Sequence, residues 1–191
     1  MLETIVQQLK QTTLFEWLAS VTGVIQVVMA RYNLRFNFIA GIVSTALYIY
    51  VFYSAGLFAE SALNSYYLVI SVVGYFYWSD AQHTMARWQQ QDQRYALILF
   101  FLSFGLLFFI LKNYTSSTVP FFDALVSSLA WAGSWLLLKR KLENWLVLNA
   151  SNLIAVPLLI YKDLSLTALL TLIYIYVAFQ GYIAWKKEIS N

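Results

Sequence analysis

NSYYLVISVVGYFYW, residues 64–78, and TLIYIYVAFQGYIAW, residues 171–185, are the stretches that decide the fold. Both are apolar, tyrosine-rich and helix-length, and both close on Gly-Tyr-x-x-Trp, 107 residues apart. One ending written twice implies a repeat, and composition says in which solvent it sits. Of 191 residues, 61% are hydrophobic, 18% aromatic and only 11% charged. A soluble domain carries about 25% charged residues, so this balance points to lipid. The absence of cysteine excludes a disulfide framework, thiolate catalysis and cysteine-ligated metals. The net charge of +3 comes from basic residues in short loops, a pattern of membrane orientation rather than a nucleic-acid patch.

A spanning helix needs about 20 mostly apolar residues. Seven such runs are expected, at 14–30, 37–56, 61–78, 95–112, 119–138, 145–161 and 165–185. The first contains Glu16 and reaches Arg31 without a small-residue cleavage site, so it reads as a retained helix rather than a signal peptide. The loops then divide unequally. Lys10, Lys112 and Lys162 fall on one side; Arg31, Arg35, Arg87, Arg94, Lys139, Arg140, Lys141, Lys186 and Lys187 fall on the other. The positive-inside rule places the N-terminus outside and the C-terminus in the cytoplasm.

Aligning the two endings pairs Tyr67 with Tyr174, Gly74 with Gly181 and Trp78 with Trp185. Upstream, a one-residue gap pairs Arg31, Leu34 and Tyr53 with Lys139, Leu142 and Tyr161. The unit is therefore three helices: a first repeat over 14–78, a polar loop and linker helix over 79–112, and a second repeat over 119–187. Four crossings separate the two starts, which restores direction. An all-α membrane protein with a parallel 3+1+3 repeat is the expected architecture, with substrate at the interface between repeats. Glycine that lets helices approach, and tryptophan at a membrane boundary, make the twin endings scaffold in this reading.

Polar side chains inside a bilayer are costly, so their placement is informative. In the fifth span Ser127, Trp131 and Ser134 share a face, flanked by Ser128 and Trp135. In the sixth, Trp145, Asn149 and Asn152 share another. The seventh adds Tyr174, Tyr176 and Gln180, and the first half offers Gln26, Ser44, Tyr48, Asn64, Tyr67 and Ser71. Uncharged hydrogen-bonding groups interleaved with aromatic rings suit a flat aromatic or cationic solute. The plainer alternative is that serines and asparagines join helices by hydrogen bonds worth about 0.6 kcal/mol each. No ionisable residue lies deep in a span, which favours gradient-driven transport over proton or sodium coupling. His83 lies in the polar loop, expected solvated and without metal-ligand spacing. No phosphate-cradling loop, catalytic triad or paired carboxylate appears, so neither an enzyme nor a cofactor is expected.

LKRKLENWL (138–146), FFDALVSS (121–128), LLIYKDLSLTALL (158–170) and both Gly-Tyr-x-x-Trp ends resemble the Pnu family of bacterial vitamin transporters, over residues 14–187. The resemblance implies a homotrimer, facilitated diffusion of a small cationic heterocyclic vitamin, and retention by a cytoplasmic kinase. It also implies a fold similar to full-length SWEET proteins. Ser134-Trp135 stands where the nicotinamide-riboside branch carries Gln-Trp, and Leu148 and Asn149 depart from its sixth helix. The compact chain looks more like the thiamine branch. Thiamine is therefore the expected substrate, with nicotinamide riboside as the alternative; a SWEET-type sugar carrier and a non-transporting helical scaffold complete the options.

Overall fold

The computed structural model describes Gln7 and residues 10–80, 82–115 and 117–190. Among these are seven long helices: α1 Leu14–Arg31, α2 Asn37–Ser54, α3 Phe58–Tyr77, α4 Gln90–Tyr114, α5 Pro120–Leu138, α6 Asn144–Tyr161 and α7 Ser165–Ser190. Six are long and apolar enough to cross a membrane; α3 is the exception. Glu60, Asn64, Tyr66 and Tyr67 lower its hydropathy, yet at 20 residues it matches its neighbours in length. The expected boundaries hold to within a few residues, except that α4 starts earlier, at Gln90, and α7 runs on to Ser190.

Local chemistry explains the ends. Thr13 and Glu16 form a capping box at α1, with Thr13 N–H donating to the Glu16 carboxylate at 2.7 Å. Pro120 opens α5, where a missing N–H costs nothing. Four helices end on left-handed residues: Asn33 (φ 54°), Gly56 (φ 74°), Arg140 (φ 53°) and Asp163 (φ 58°). The next N–H then reaches back five residues in each case, Leu34 to Met29, Leu57 to Phe52, Lys141 to Leu136 and Leu164 to Leu159, closing the carbonyls a helix end leaves bare.

These turns recur 107 residues apart, and so do side-chain contacts. Asn37 and Asn144 donate to the carbonyls of Leu34 and Lys141 at 2.7 and 2.6 Å. Ser44 donates from α2 to Ala19 O in α1 at 2.7 Å, and Ser151 from α6 to Val126 O in α5 at 2.8 Å. Trp78 Nε1 donates to Leu138 O at 2.9 Å, and Trp185 Nε1 to Arg31 O at 3.1 Å. The last pair is reciprocal, each half reaching the other. The spacing is gapless: Arg31 corresponds to Leu138 and Leu34 to Lys141, not to Lys139 and Leu142. Aligning like charges shifted the sequence register by one, whereas the conserved partner is a backbone carbonyl that any side chain can accompany.

Helix packing closes a ring. α1 packs on α2, α2 on α3, α3 on α5, α5 on α6, α6 on α7 and α7 on α1, while α4 packs outside on α5. Among the described residues, no Cα–Cα approach within 8 Å crosses the ring. Its basic end is plugged. Phe38 packs edge-on to Trp78 (4.9 Å), Trp145 edge-on to Trp185 (5.5 Å), and the two tryptophans of the twin endings lie 6.0 Å apart. Gly74 receives the Phe38 ring and Gly181 the Trp145 ring; a Cβ there would lie 2.3 and 2.7 Å from ring atoms.

The polar loop is docked rather than loose. Arg140 donates to His83 O and Trp78 O, with its guanidinium 4.4 Å over the Trp78 ring. Ala86 exchanges backbone hydrogen bonds with Arg140 O and Leu142 N, and Glu143 accepts from Trp88 N–H at 2.8 Å. His83 is not simply solvated as expected: its ring stacks on Tyr77 at 3.6 Å. Burial pulls the Arg140 guanidinium below its ordinary pKa, opposed by nearby Tyr77.

At the opposite end Lys162 bridges both oxygens of Asp123 at 2.5 and 2.6 Å, and Ser117 donates to the same carboxylate. Their side chains are only 27% and 17% exposed. Asp123→Asn is therefore expected to destabilise by about 1–3 kcal/mol, because it strands the ammonium. Thermal unfolding of D123N, K162M and the double variant checks it: the double loses less than the sum of the singles.

Candidate functional site

Two polar–aromatic groups lie between helices of the ring. In the first, Tyr48 Oη (α2) is hydrogen-bonded to Ser20 Oγ (α1) at 2.8 Å, with the Tyr48 ring stacked on Phe52. Tyr174 reaches from α7 to Gly23 of α1, where a Cβ would lie 2.8 Å from its hydroxyl and 3.2 Å from Ser44 Oγ. Gly23 thus admits a phenol between three helices, one turn from Ser20. One turn further on, Gln26 and Ser71 converge over Gly41, each 2.7 Å from where its Cβ would stand. In the second half Gly133 and Leu148 occupy the positions corresponding to Gln26 and Gly41. The exchange of glycine and large residue fills that half with an apolar side chain, 2.7 Å from the Cβ position of Gly133.

The second group joins α3 and α5, where Trp131 also packs against Leu107 and Leu111 of α4. Trp131 stacks on Tyr66 at 4.3 Å and 19°, and the Tyr66 hydroxyl donates to Trp131 O at 2.8 Å. Tyr67 meets Tyr66 edge-on at 5.7 Å. Trp131 Nε1–H and Asn149 Oδ1 are buried without a hydrogen-bond partner, a donor and an acceptor unspent within the fold. Leaving such a group bare costs about 1–3 kcal/mol; Trp145 Nε1–H and the Oδ1 atoms of Asn37 and Asn144, at the basic end, are bare in the same way. Ser127 and Asn152 are half-buried, and no side-chain hydrogen bond of theirs occurs among the described residues.

Not every expected site residue joins these groups. Gln180 accepts from Arg31, tying α7 to α1. Asn64 donates to Glu60 O at 2.9 Å and Ser134 to Ala130 O at 2.8 Å, both within their own helices. Trp135 turns away from α6 and meets Tyr95 of α4 edge-on at 6.2 Å. Tyr176 is 63% exposed and faces outward. In exchange, Ser20, Gly23 and Tyr66 enter the site. Ser20, Gly23 and Gln26 follow a three-residue spacing on one helix face, a signal present in the sequence; the Tyr66 stack has no such signature.

The interior carries no carboxylate, ammonium or guanidinium; those of the described spans sit at helix ends. Among the described residues, no group of three or more His, Cys, Asp or Glu could hold a metal. The site can therefore bind by stacking and neutral hydrogen bonds.

A family model described as nicotinamide mononucleotide transporter matches residues 13–187. No curated protein matches the sequence. The chain is similar in fold to the crystal structure of the vitamin B3 transporter PnuC, with a TM-score of 0.74 at 20% identity, covering 99% of this chain and 87% of that one.

Proposed function

This chain belongs to the nicotinamide mononucleotide transporter family, the Pnu family of vitamin transporters, and from that premise we propose that it carries nicotinamide riboside across the bacterial cytoplasmic membrane. The observation that carries the reading is the Tyr66–Trp131 stack with its unspent Nε1–H; Asn149 Oδ1 on α6 is a second unspent group. A carboxamide offers both a donor and an acceptor, and a pyridinium ring suits aromatic faces.

Thiamine, the substrate expected from sequence, gives way to this alternative. The family match and the fold likeness both favour vitamin B3. Moreover, the Ser134-Trp135 pair that argued against nicotinamide riboside lies off the polar groups of the ring. The mononucleotide is disfavoured by charge: its phosphate would enter an interior without a cation, an uncompensated burial costing several kcal/mol.

The same charge argument supports facilitated diffusion with trapping. A cytoplasmic kinase adds a phosphate, and the product cannot return through a neutral path. We read the contacts that recur 107 residues apart as a parallel 3+1+3 arrangement of the SWEET type, with halves over 14–78 and 119–187 joined through 79–112. The protomer count of three, the outside N-terminus and the cytoplasmic C-terminus complete the proposal. Trp131, Asn149, Asn152, Ser127, Tyr67, Tyr48 and Tyr174 are its binding residues.

Titrating the purified protein with nicotinamide riboside, its mononucleotide, thiamine and maltose tests this. Nicotinamide riboside is expected to bind at least about 10-fold more tightly than the others, a difference of 1.4 kcal/mol. Tighter thiamine or maltose binding would reassign the substrate, and no binding at all would leave a helical scaffold. Uptake into vesicles that responds to an imposed proton or sodium gradient would overturn simple facilitation.

A further inference from the structure

Outside the ring, a cavity of about 660 Å³ opens between α4 and α5, beside the end of α3. Its α4 wall is graded. Asp92 stands at the start, Tyr95 one turn on, then Ile98, Leu99 and Leu102. This stripe spans about 15 Å at 1.5 Å per residue. The α5 wall is graded in the same direction, from Lys141 and Lys139 at the helix end to Trp135 one turn inside. Both walls thus pass from charged to aromatic to apolar as they enter the membrane.

The charges do not cancel. Lys141 is paired with Asp92 at 3.0 Å. Lys139 lies 4.5 Å over the Tyr77 ring and has no carboxylate partner among the described residues. The lip is open to the bilayer, with Tyr95, Ile98 and Leu102 51%, 54% and 70% exposed. A small polar solute needs no apolar channel three turns long, and a bare hydrocarbon chain needs no free ammonium.

We propose that this groove binds an anionic phospholipid, with Lys139 at the phosphate, Tyr95 and Trp135 at the glycerol level and one acyl chain along Ile98, Leu99 and Leu102. Basic pockets between transmembrane helices are the sites that anionic headgroups select, and the aromatic pair occupies the usual interfacial level. The occupant would tether α4, which packs only on α5 among the described helices, to the ring.

The test is thermal unfolding of the purified full chain in a neutral detergent, with short-chain phosphatidylglycerol or phosphatidylcholine added. Phosphatidylglycerol at about 100 times its Kd is expected to raise Tm by on the order of 5 °C, and phosphatidylcholine by far less. Lys139→Gln removes the headgroup partner, and Ile98→Trp fills the groove without changing charge. Each is expected to lose the phosphatidylglycerol shift while binding nicotinamide riboside as before; should one fail to fold, the other decides. Equal shifts from both lipids, or a shift that survives either folded variant, would overturn the proposal. So would the same shift from glycerol 3-phosphate alone, which would mark a soluble-anion site. Loss of oligomer in I98W without any lipid dependence would give the groove to a second copy instead.

Discussion

Asn149→Leu is expected to weaken nicotinamide riboside binding by about 10- to 100-fold while leaving the protein more stable. The two effects move in opposite directions for one reason. Asn149 Oδ1 is buried with no partner in the fold, so replacing the amide by an apolar group of similar size removes a desolvated acceptor. That relief is worth roughly 1 kcal/mol, or about 2–4 °C in Tm for a chain of this length. The ligand, by contrast, loses the acceptor that its carboxamide N–H would meet. Ligand titration and thermal unfolding of the same sample separate the readings. Lower stability with unchanged binding would make Asn149 interhelical glue. Trp131→Phe supplies the companion experiment: it keeps the ring on Tyr66 but removes the unpaired Nε1–H, and binding is expected to weaken again.

Trp145→Ala is expected to cost about 3–5 kcal/mol, a large part of a typical total of 5–15 kcal/mol. Trp145 is 1% exposed, seated on Gly181 and edge-on to Trp185. Nothing in the plug can move in to fill its volume, because Leu137, Leu142 and Ala178 already pack there. Phe38 stands at the corresponding place in the first half, 0% exposed, seated on Gly74 and edge-on to Trp78. Phe38→Ala should therefore lose a similar amount. Trp145→Phe should be tolerated far better, since the first half already uses phenylalanine there, and it also removes a buried Nε1–H that has no partner. If W145A kept its stability and lost only ligand binding, Trp145 would be a stacking residue and not part of the plug.

Trp131 and Trp135 show how far sequence reading reaches. Both lie in one helix, four residues apart, and both read as site residues. Tertiary packing stacks Trp131 on Tyr66 of α3 and against Leu107 and Leu111 of α4, and sets Trp135 edge-on to Tyr95 of α4. Gln180 is similar: a polar residue in an apolar helix reads as a ligand group, yet Arg31 claims it. Asn33, Gly56 and Asp163 announce left-handed helix ends by residue type, whereas Arg140 takes the same geometry without that signal. Its likeness to Asn33 is visible only in the hydrogen bonds.

By itself the amino-acid sequence determined the solvent and seven helices with their approximate bounds. Those properties are local or periodic along the chain, and lipid enforces them residue by residue through the cost of bare backbone groups. Only the tertiary structure decided that α3 and α5 meet, that α7 closes onto α1 and that α4 stays outside. It also decided which tyrosines and tryptophans face the interior. In a bilayer, helix faces turned to lipid and to protein are both apolar, so periodicity cannot say which partner a face will find. The twin Gly-Tyr-x-x-Trp endings follow this division. Their pairing was legible in the chain, but their joint role, sealing the basic end of the ring through the carbonyls of Leu138 and Arg31, exists only once the helices are packed.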